Sequence, residues 1–322
     1  MSFPMSAPDL DLQSSAPAPV KEAKQQRRST RVAVNGWVCL DKPVGLTSTQ
    51  AVAQVKYLFN AKKAGHAGTL DPLASGVLPI ALGEATKTVP IVQDGVKVYR
   101  FGVKWGEETD TDDAEGRVVA SSDMRPDAGA IAAQLPQFIG IVSQVPPIYS
   151  AIKIAGERAY DLAREGAEFV MAPREIVVHR LELVSHERDM AVFEAECGKG
   201  TYVRAIARDI GRLLGCYGHV VLLRRTRVGP FSSDGAIALD RLREAPDMTR
   251  QAMLPIDAGL AELACIALDR DGAAILRRGQ KLLLRGSHAP AEGPAYAACF
   301  GTPVAFGNVE AGYFVSTRVF NL

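Results

Sequence analysis

Residues 65–79 read GHAGTLDPLASGVLP and place one aspartate, Asp71, and one histidine, His66, among small and apolar neighbours. No second acid lies within that stretch. A solitary carboxylate can serve as a nucleophile, as a general base, or as an electrostatic partner for developing positive charge. Gly65, Gly68 and Gly76 would let the backbone approach a bulky ligand, and Pro72 and Pro79 stiffen the segment. From spacing alone, an Asp-Pro turn beside a surface histidine accounts for the same residues.

Other chemistries find less support. In CGKGT (197–201) the phosphate-loop glycine expected at position 193 is Phe, and Gly200 stands where Ser or Thr should follow the lysine. In DTDDAEG (110–116) Ala114 occupies a calcium-ligand position, so the segment reads as a solvated acidic turn. No dinucleotide glycine fingerprint follows a strand, and the five histidines are scattered. Cysteines 39, 197, 216, 265 and 299 form no CxxC pair and read as reduced, mostly buried thiols of a cytoplasmic protein. The formal net charge of +1 leaves any nucleic-acid footprint to local clusters. Between 197 and 229 such a cluster exists, with Lys199, Arg204, Arg208, Arg212, Arg224, Arg225 and Arg227 against one acid, Asp209. No apolar run reaches the roughly 18 residues of a membrane span, and the N-terminus lacks signal-peptide order.

The elements that must position these residues follow from periodicity. Residues 1–31, rich in Pro, Ser and Ala with basic residues at the end, read as a disordered tail. WVCL reads as a buried strand, and STQAVAQVKYLFN as a helix behind a Ser/Thr cap. KVYRFGVKWG alternates, with Tyr99, Phe101, Val103 and Trp105 on one face. A helix is expected over 127–139, a strand and second helix within 144–166, and strands near 175–184 and 190–197. The latter half of CGKGTYVRAIARDIGRLLG is helical, with Val203, Ile206, Ile210, Leu213 and Leu214 on one face and Arg204, Arg208 and Arg212 on another. Beyond about residue 263, short strands between Gly-containing turns suggest a small, separate β-rich module.

Six blocks, in order, resemble the TruB family of tRNA pseudouridine synthases: LDKPVGLTS, GHAGTLDPLASGVLPIALGEATK, KVYRFGVKWGEETDTDDAEG, QVPPIYSAIKIAGERAYDLAREG, CGKGTYVRAIARDIGRLLG and GHVVLLRRTRVGPF. They cover most of the chain from residue 36 to about 232, and Thr69 before the Leu-Asp pair fits this family rather than other synthase types. The resemblance implies an α+β fold: a mixed, mainly antiparallel sheet flanked by helices, with a C-terminal PUA-like module. The matching boundaries are a tail over 1–31, a catalytic domain over 32–262 and an RNA-binding module over 263–322. It also implies a reaction without cofactor or metal, because isomerising uridine to pseudouridine exchanges no group or electron with a second substrate.

Position by position, the resemblance makes Asp71 the catalytic acid, either attacking C1′ or removing the C2′ proton. It makes Tyr99 the aromatic that stacks on the base and a candidate for removing the C5 proton, and Arg204 the partner of the acid. A carboxylate covered by a stacked base loses water and drifts toward its neutral form unless a cation holds its charge. His66 would stack in the space left by an extruded base, Leu223 would line the pocket, and Tyr202 would stand near the acid. Lys42, Lys87 and Lys153, with Lys62, Lys63, Arg100 and Arg158, would add phosphate contacts. The implied substrate is a uridine at position 55 in the T-arm stem-loop of tRNA. The expected enzyme acts as a monomer, with no guide RNA, membrane or obligate protein partner. Two rivals share the scaffold: a non-catalytic tRNA chaperone and the catalytic subunit of an RNA-guided complex.

Overall fold

A computed structural model describes Met1 and residues 31–150, 152–154, 156–167, 169–244, 246–284 and 290–322. Apart from Met1 and Arg31, the expected N-terminal tail lies outside the described residues.

The chain begins with β1 (Gly36–Lys42), helix α1 (Ser48–Leu58), short β2 (Ala64–His66), β3 (Ser75–Leu82) and β4 (Lys97–Trp105). It continues through β5 (Gly140–Gln144), β6 (Arg174–Glu187), β7 (Met190–Cys197), helix α2 (Val203–Leu213) and β8 (Gly218–Val228). The main sheet runs from the short strand Ile237–Ala238 through β1, β3, β8, β4, β7 and β6 to β5. It is mixed and mainly antiparallel. The parallel pairings are β3 with β8 and β1 with Ile237–Ala238.

The local chemistry explains the layout. SGVLPIAL is apolar almost throughout and is buried from Gly76 onward, as a strand covered on both faces requires. β4 alternates as its sequence predicts; Phe101 stacks on Phe193 of β7 at 5.4 Å, and Trp105 meets the same ring edge-on at 6.2 Å. α1 starts in a capping box, Thr47 accepting from the Gln50 backbone N–H while the Gln50 side chain accepts from Thr47. Its Ala51 and Val55 join the core with Leu78, Ile80 and Ile206.

The helix expected over 127–139 is a short helix, Ala128–Gln134, followed by a 3₁₀ turn. The strand expected within 144–166 is a minimal hairpin of Lys153–Ile154 with Glu157–Arg158, ahead of the helix Ala159–Arg164. β8 is new. Its run of Arg and Thr after VVLL has no clean alternation, yet it becomes the strand between β3 and β4.

The C-terminal segment is β-rich as expected, with β9 (Ala264–Leu268), helix α3 (Arg270–Arg277), β10 (Gly293–Cys299), β11 (Thr302–Glu310) and β12 (Tyr313–Val319). It has its own sheet and its own core around Ile266, Leu276, Val304 and Phe314. The separateness expected of it is limited, because Val32–Leu322 forms one compact unit. Phe320 packs with Trp37, Val92 and Ile256, and the Asn321 N–H donates to the Glu84 carboxylate at 2.7 Å.

Candidate active site

The lone aspartate sits in a loop whose backbone is held at every residue. Between β2 and β3, each carbonyl from Gly68 to Pro72 accepts a hydrogen bond. Arg225 donates to Gly68 and Thr69, and the Ser48 hydroxyl to Leu70. The Ala74 N–H donates to Asp71, and the Gly45 N–H to Pro72. Ser48 also accepts from the Leu70 N–H at 2.8 Å, so one buried hydroxyl fixes both polar groups of the residue before Asp71. Glycine is needed at two points. At Gly76 (φ +103°) a Cβ would stand 2.1 Å from the Arg225 carbonyl oxygen, and at Gly68 (φ +105°) one would press on the Arg225 guanidinium.

Asp71 meets Arg204 at 3.0 Å. Arg204 projects from the first turn of α2, is 5 % exposed, and is also 3.2 Å from the Asp113 carboxylate. It donates to the carbonyls of Thr111 and Tyr149 as well. A guanidinium gripped from several directions cannot swing, so it fixes the direction of the half-buried Asp71 carboxylate.

Around this pair lies a cleft of about 310 Å³ lined by Asp71, Tyr99, Tyr202, Arg204, Leu223 and Arg225, among others. Tyr99 stands on β4 directly opposite Arg225 on β8. Burial pushes its phenol above the ordinary tyrosine range, against the opposing charge of Arg225. Tyr202, at the start of α2, is pushed up by burial too. Lys97 lines the cleft, its ammonium donating to the carbonyls of Gln93 and Gly95.

Five of the expected site residues therefore meet at one cleft: Asp71, Tyr99, Tyr202, Arg204 and Leu223. Lys153 is exposed on the small hairpin, beside Ile152 of the cleft wall. Two expected phosphate contacts are corrected. Lys42 is wholly buried and donates to the carbonyls of Pro43 and Leu46; burial pulls it down to about 8 despite the attraction of Asp71. Lys87 is spent on Glu84 at 2.6 Å and on the Val319 carbonyl at 2.9 Å, so it ties the C-terminal strand to the main domain. His66 lies outside the cleft lining, on β2 opposite Ile80. Burial first, and Arg225 second, push its imidazole toward the neutral form.

The acidic turn and the basic cluster are corrected together. The turn is not solvated: Asp112 and Asp113 are 6 % and 3 % exposed, and they pair with the arginine face of α2. Arg208 meets Asp112 at 3.0 Å, and Arg212 meets Glu108 at 2.6 Å, below the Arg204–Asp113 contact. Elsewhere in the cluster, Lys199 pairs with Asp94, Arg224 with Asp41 and Arg227 with Glu262. Charges counted along the sequence as a basic surface are largely neutralised in space by acids from other segments.

Comparison with known proteins gives the same assignment. A model of the TruB family pseudouridylate synthase N-terminal domain matches residues 56–203, and one of the tRNA pseudouridylate synthase B C-terminal domain matches 204–261. The chain belongs to the TruB family. It is 57 % identical over 313 residues to a tRNA pseudouridine synthase B of Bradyrhizobium diazoefficiens, covering 93 % of this chain and 91 % of that one. It is 56 % identical over 316 residues to the protein of that name from Nitrobacter winogradskyi, covering 95 % and 88 %. Among solved structures it resembles a chain of a Cbf5–Nop10–Gar1 complex, with a TM-score of 0.67 and 26 % identity over 89 % of this chain and 84 % of that one. The fold is thus the pseudouridine synthase fold with a PUA-like β-rich module at its C-terminus.

In this TruB-family chain, three residues at the site carry functions that sequence reading missed. Ser48 was read only as part of a helix cap, Asp113 as part of a solvated turn, and Arg225 as one of seven surface cations. No local signal marked Arg225, because the strand Ser75–Leu82 was not expected and only the pairing of β8 with β3 and β4 places Arg225 between them.

Proposed function

We propose that this chain isomerises a uridine to pseudouridine in the T arm of tRNA, at position 55, acting alone and without a guide RNA. The observation that carries the reading is the Asp71–Arg204 pair at 3.0 Å in a cleft of about 310 Å³, with Tyr99 on its wall. The relatives' shared name, tRNA pseudouridine synthase B, supports tRNA as substrate.

The chemistry follows from the residues. A uridine stacked in an RNA arm must be everted, at a cost of about a few kcal/mol. Once it is in the cleft, Asp71 acts on the ribose, either by attack on C1′ or by taking the C2′ proton, and the N1–C1′ bond breaks. The freed uracil turns, C5 joins C1′ as the Asp71–C1′ bond breaks or the C2′ proton returns from Asp71, the C5 proton passes to water, and N1 takes up a proton in its place. Arg204 keeps Asp71 aimed at the sugar while water is excluded. Tyr99 is protonated at neutral pH, so it stacks on the base, and it can take the C5 proton only by handing its own phenol proton to water in the same step. His66, held neutral, suits stacking on the exposed RNA rather than a phosphate contact. Lys153 remains free to meet the backbone, and the C-terminal module extends the contact to the rest of the tRNA.

The test is tritium release from a T-arm stem-loop labelled at uridine C5. The purified chain should release tritium with no other component, and Asp71→Asn should abolish release while leaving RNA affinity within about threefold, since one uncharged oxygen-to-nitrogen change removes the reactive carboxylate and little contact area. Release by the variant at the wild-type rate would remove Asp71 from the mechanism.

A further inference from the structure

Arg225 is the most fully buried arginine of the described residues, at 1 % exposure, and no carboxylate among them lies within salt-bridge distance of its guanidinium. Burying a charge without a counterion is expensive, so its retention calls for a specific use. Its hydrogen bonds identify that use. Nε donates to the Val77 carbonyl at 2.9 Å, Nη1 to Thr69 at 3.3 Å and Nη2 to Gly68 at 3.0 Å. The strand register sets Tyr99 directly across from Arg225.

These acceptors lie on both sides of the Asp71 loop, at its entry (Gly68, Thr69) and its exit into β3 (Val77). The strand register makes this possible: Arg225 lies opposite Gly76 on one flank and Tyr99 on the other. The two glycines most closely fitted to Arg225, Gly68 and Gly76, leave room for its guanidinium and its backbone.

We infer that Arg225 is a positioning residue for the isomerisation, its planar fork fixing the Asp71 loop on one flank of the strand whose other flank carries Tyr99. The inference rests on the proposed function for its kinetic part. A lysine would keep the charge but supply a single point donor in place of the fork. It would leave carbonyls of Gly68, Thr69 or Val77 unserved and the loop loosened, while the RNA-facing surface stays as it is.

The experiment compares wild type with Arg225→Lys and Arg225→Gln. Each is checked for a cooperative melt and measured by single-turnover tritium release at saturating stem-loop, by RNA affinity, and by amide hydrogen exchange over residues 68–77. The expected result is a rate at least tenfold slower in both variants, RNA affinity within threefold, and faster exchange confined to 68–77. A wild-type rate per folded molecule in Arg225→Lys overturns the inference, because charge alone would then suffice. Rate and affinity falling together, with exchange faster across the whole main sheet, also overturns it, because Arg225 would then only support the fold. A wild type inactive on every uridine stem-loop overturns the proposed function instead, and the exchange comparison still decides whether Arg225 holds the loop.

Discussion

The buried Arg208–Asp112 pair carries a stability cost whose sign can be worked out. Asp112 is pushed up to about 6 from an ordinary value of 3.8, with burial the largest cause and the attraction of Arg208 and Arg204 only partly offsetting it. Between pH about 4 and 6 the folded chain therefore holds a proton that the unfolded chain has lost. Stability contributed by that proton is fully present below 3.8 and is lost as pH rises through 6. At about 1.4 kcal/mol per unit, the loss amounts to roughly 3 kcal/mol at neutral pH. Asp112→Asn removes the titration while keeping an acceptor oxygen for Arg208. Urea unfolding followed by circular dichroism from pH 4.5 to 7.5 should show the variant gaining on wild type as pH rises, by about 2 kcal/mol, the rest of the loss being complete below pH 4.5. The gain should flatten above pH 6.5. A difference between the two proteins that is constant across the range, or that turns against the variant as pH rises, would refute the reasoning and make the ion pair a net stabiliser.

Two further outcomes follow from groups that hold the site or anchor its neighbour. Ser48→Ala strips both hydrogen bonds from Leu70 in a buried place, which should cost about 1–3 kcal/mol in urea unfolding and slow tritium release more than it weakens RNA binding. Lys87→Gln should leave stem-loop affinity unchanged, because its ammonium faces Glu84 and Val319 rather than the cleft. Limited proteolysis should instead cut more readily near 319–322, and weaker stem-loop binding with no change in proteolysis would restore Lys87 to the RNA surface.

What the sequence disclosed and what it concealed divide along a physical line. Elements with one strong local period were legible: the alternation of β4, the capped α1 and the apolar face of α2 all lie where their patterns put them. The family blocks likewise led to Asp71, Tyr99 and Arg204, which the fold gathers at one cleft. Charge was misread because a periodic arginine face and acidic residues 91 to 104 positions away look solvated when each is viewed alone. Only the docking of residues 107–113 against α2 makes them each other's solvent. Lys42 misled for the same reason, since a lysine in a turn is ordinarily wet, and here β1 and the Asp71 loop close over it.

This pattern has a mechanistic corollary. Arg204 is shared by Asp71 and Asp113, so the carboxylate proposed to act on the ribose is not the sole owner of its partner. A site holding one cation between two anions lets Asp71 lose its charge, or spend it on the ribose, without leaving a buried arginine unpaired, because Asp113 keeps the guanidinium satisfied throughout. The remaining members of the ladder, Arg208 with Asp112 and Arg212 with Glu108, hold residues 107–113 in register so that Asp113 arrives where Arg204 needs it. Acid, partner and second acid then form one rigid charge relay in position only. The Asp71 carboxylate thus has its direction set from α2, while Arg225 and Ser48 set its backbone from the sheet and from α1.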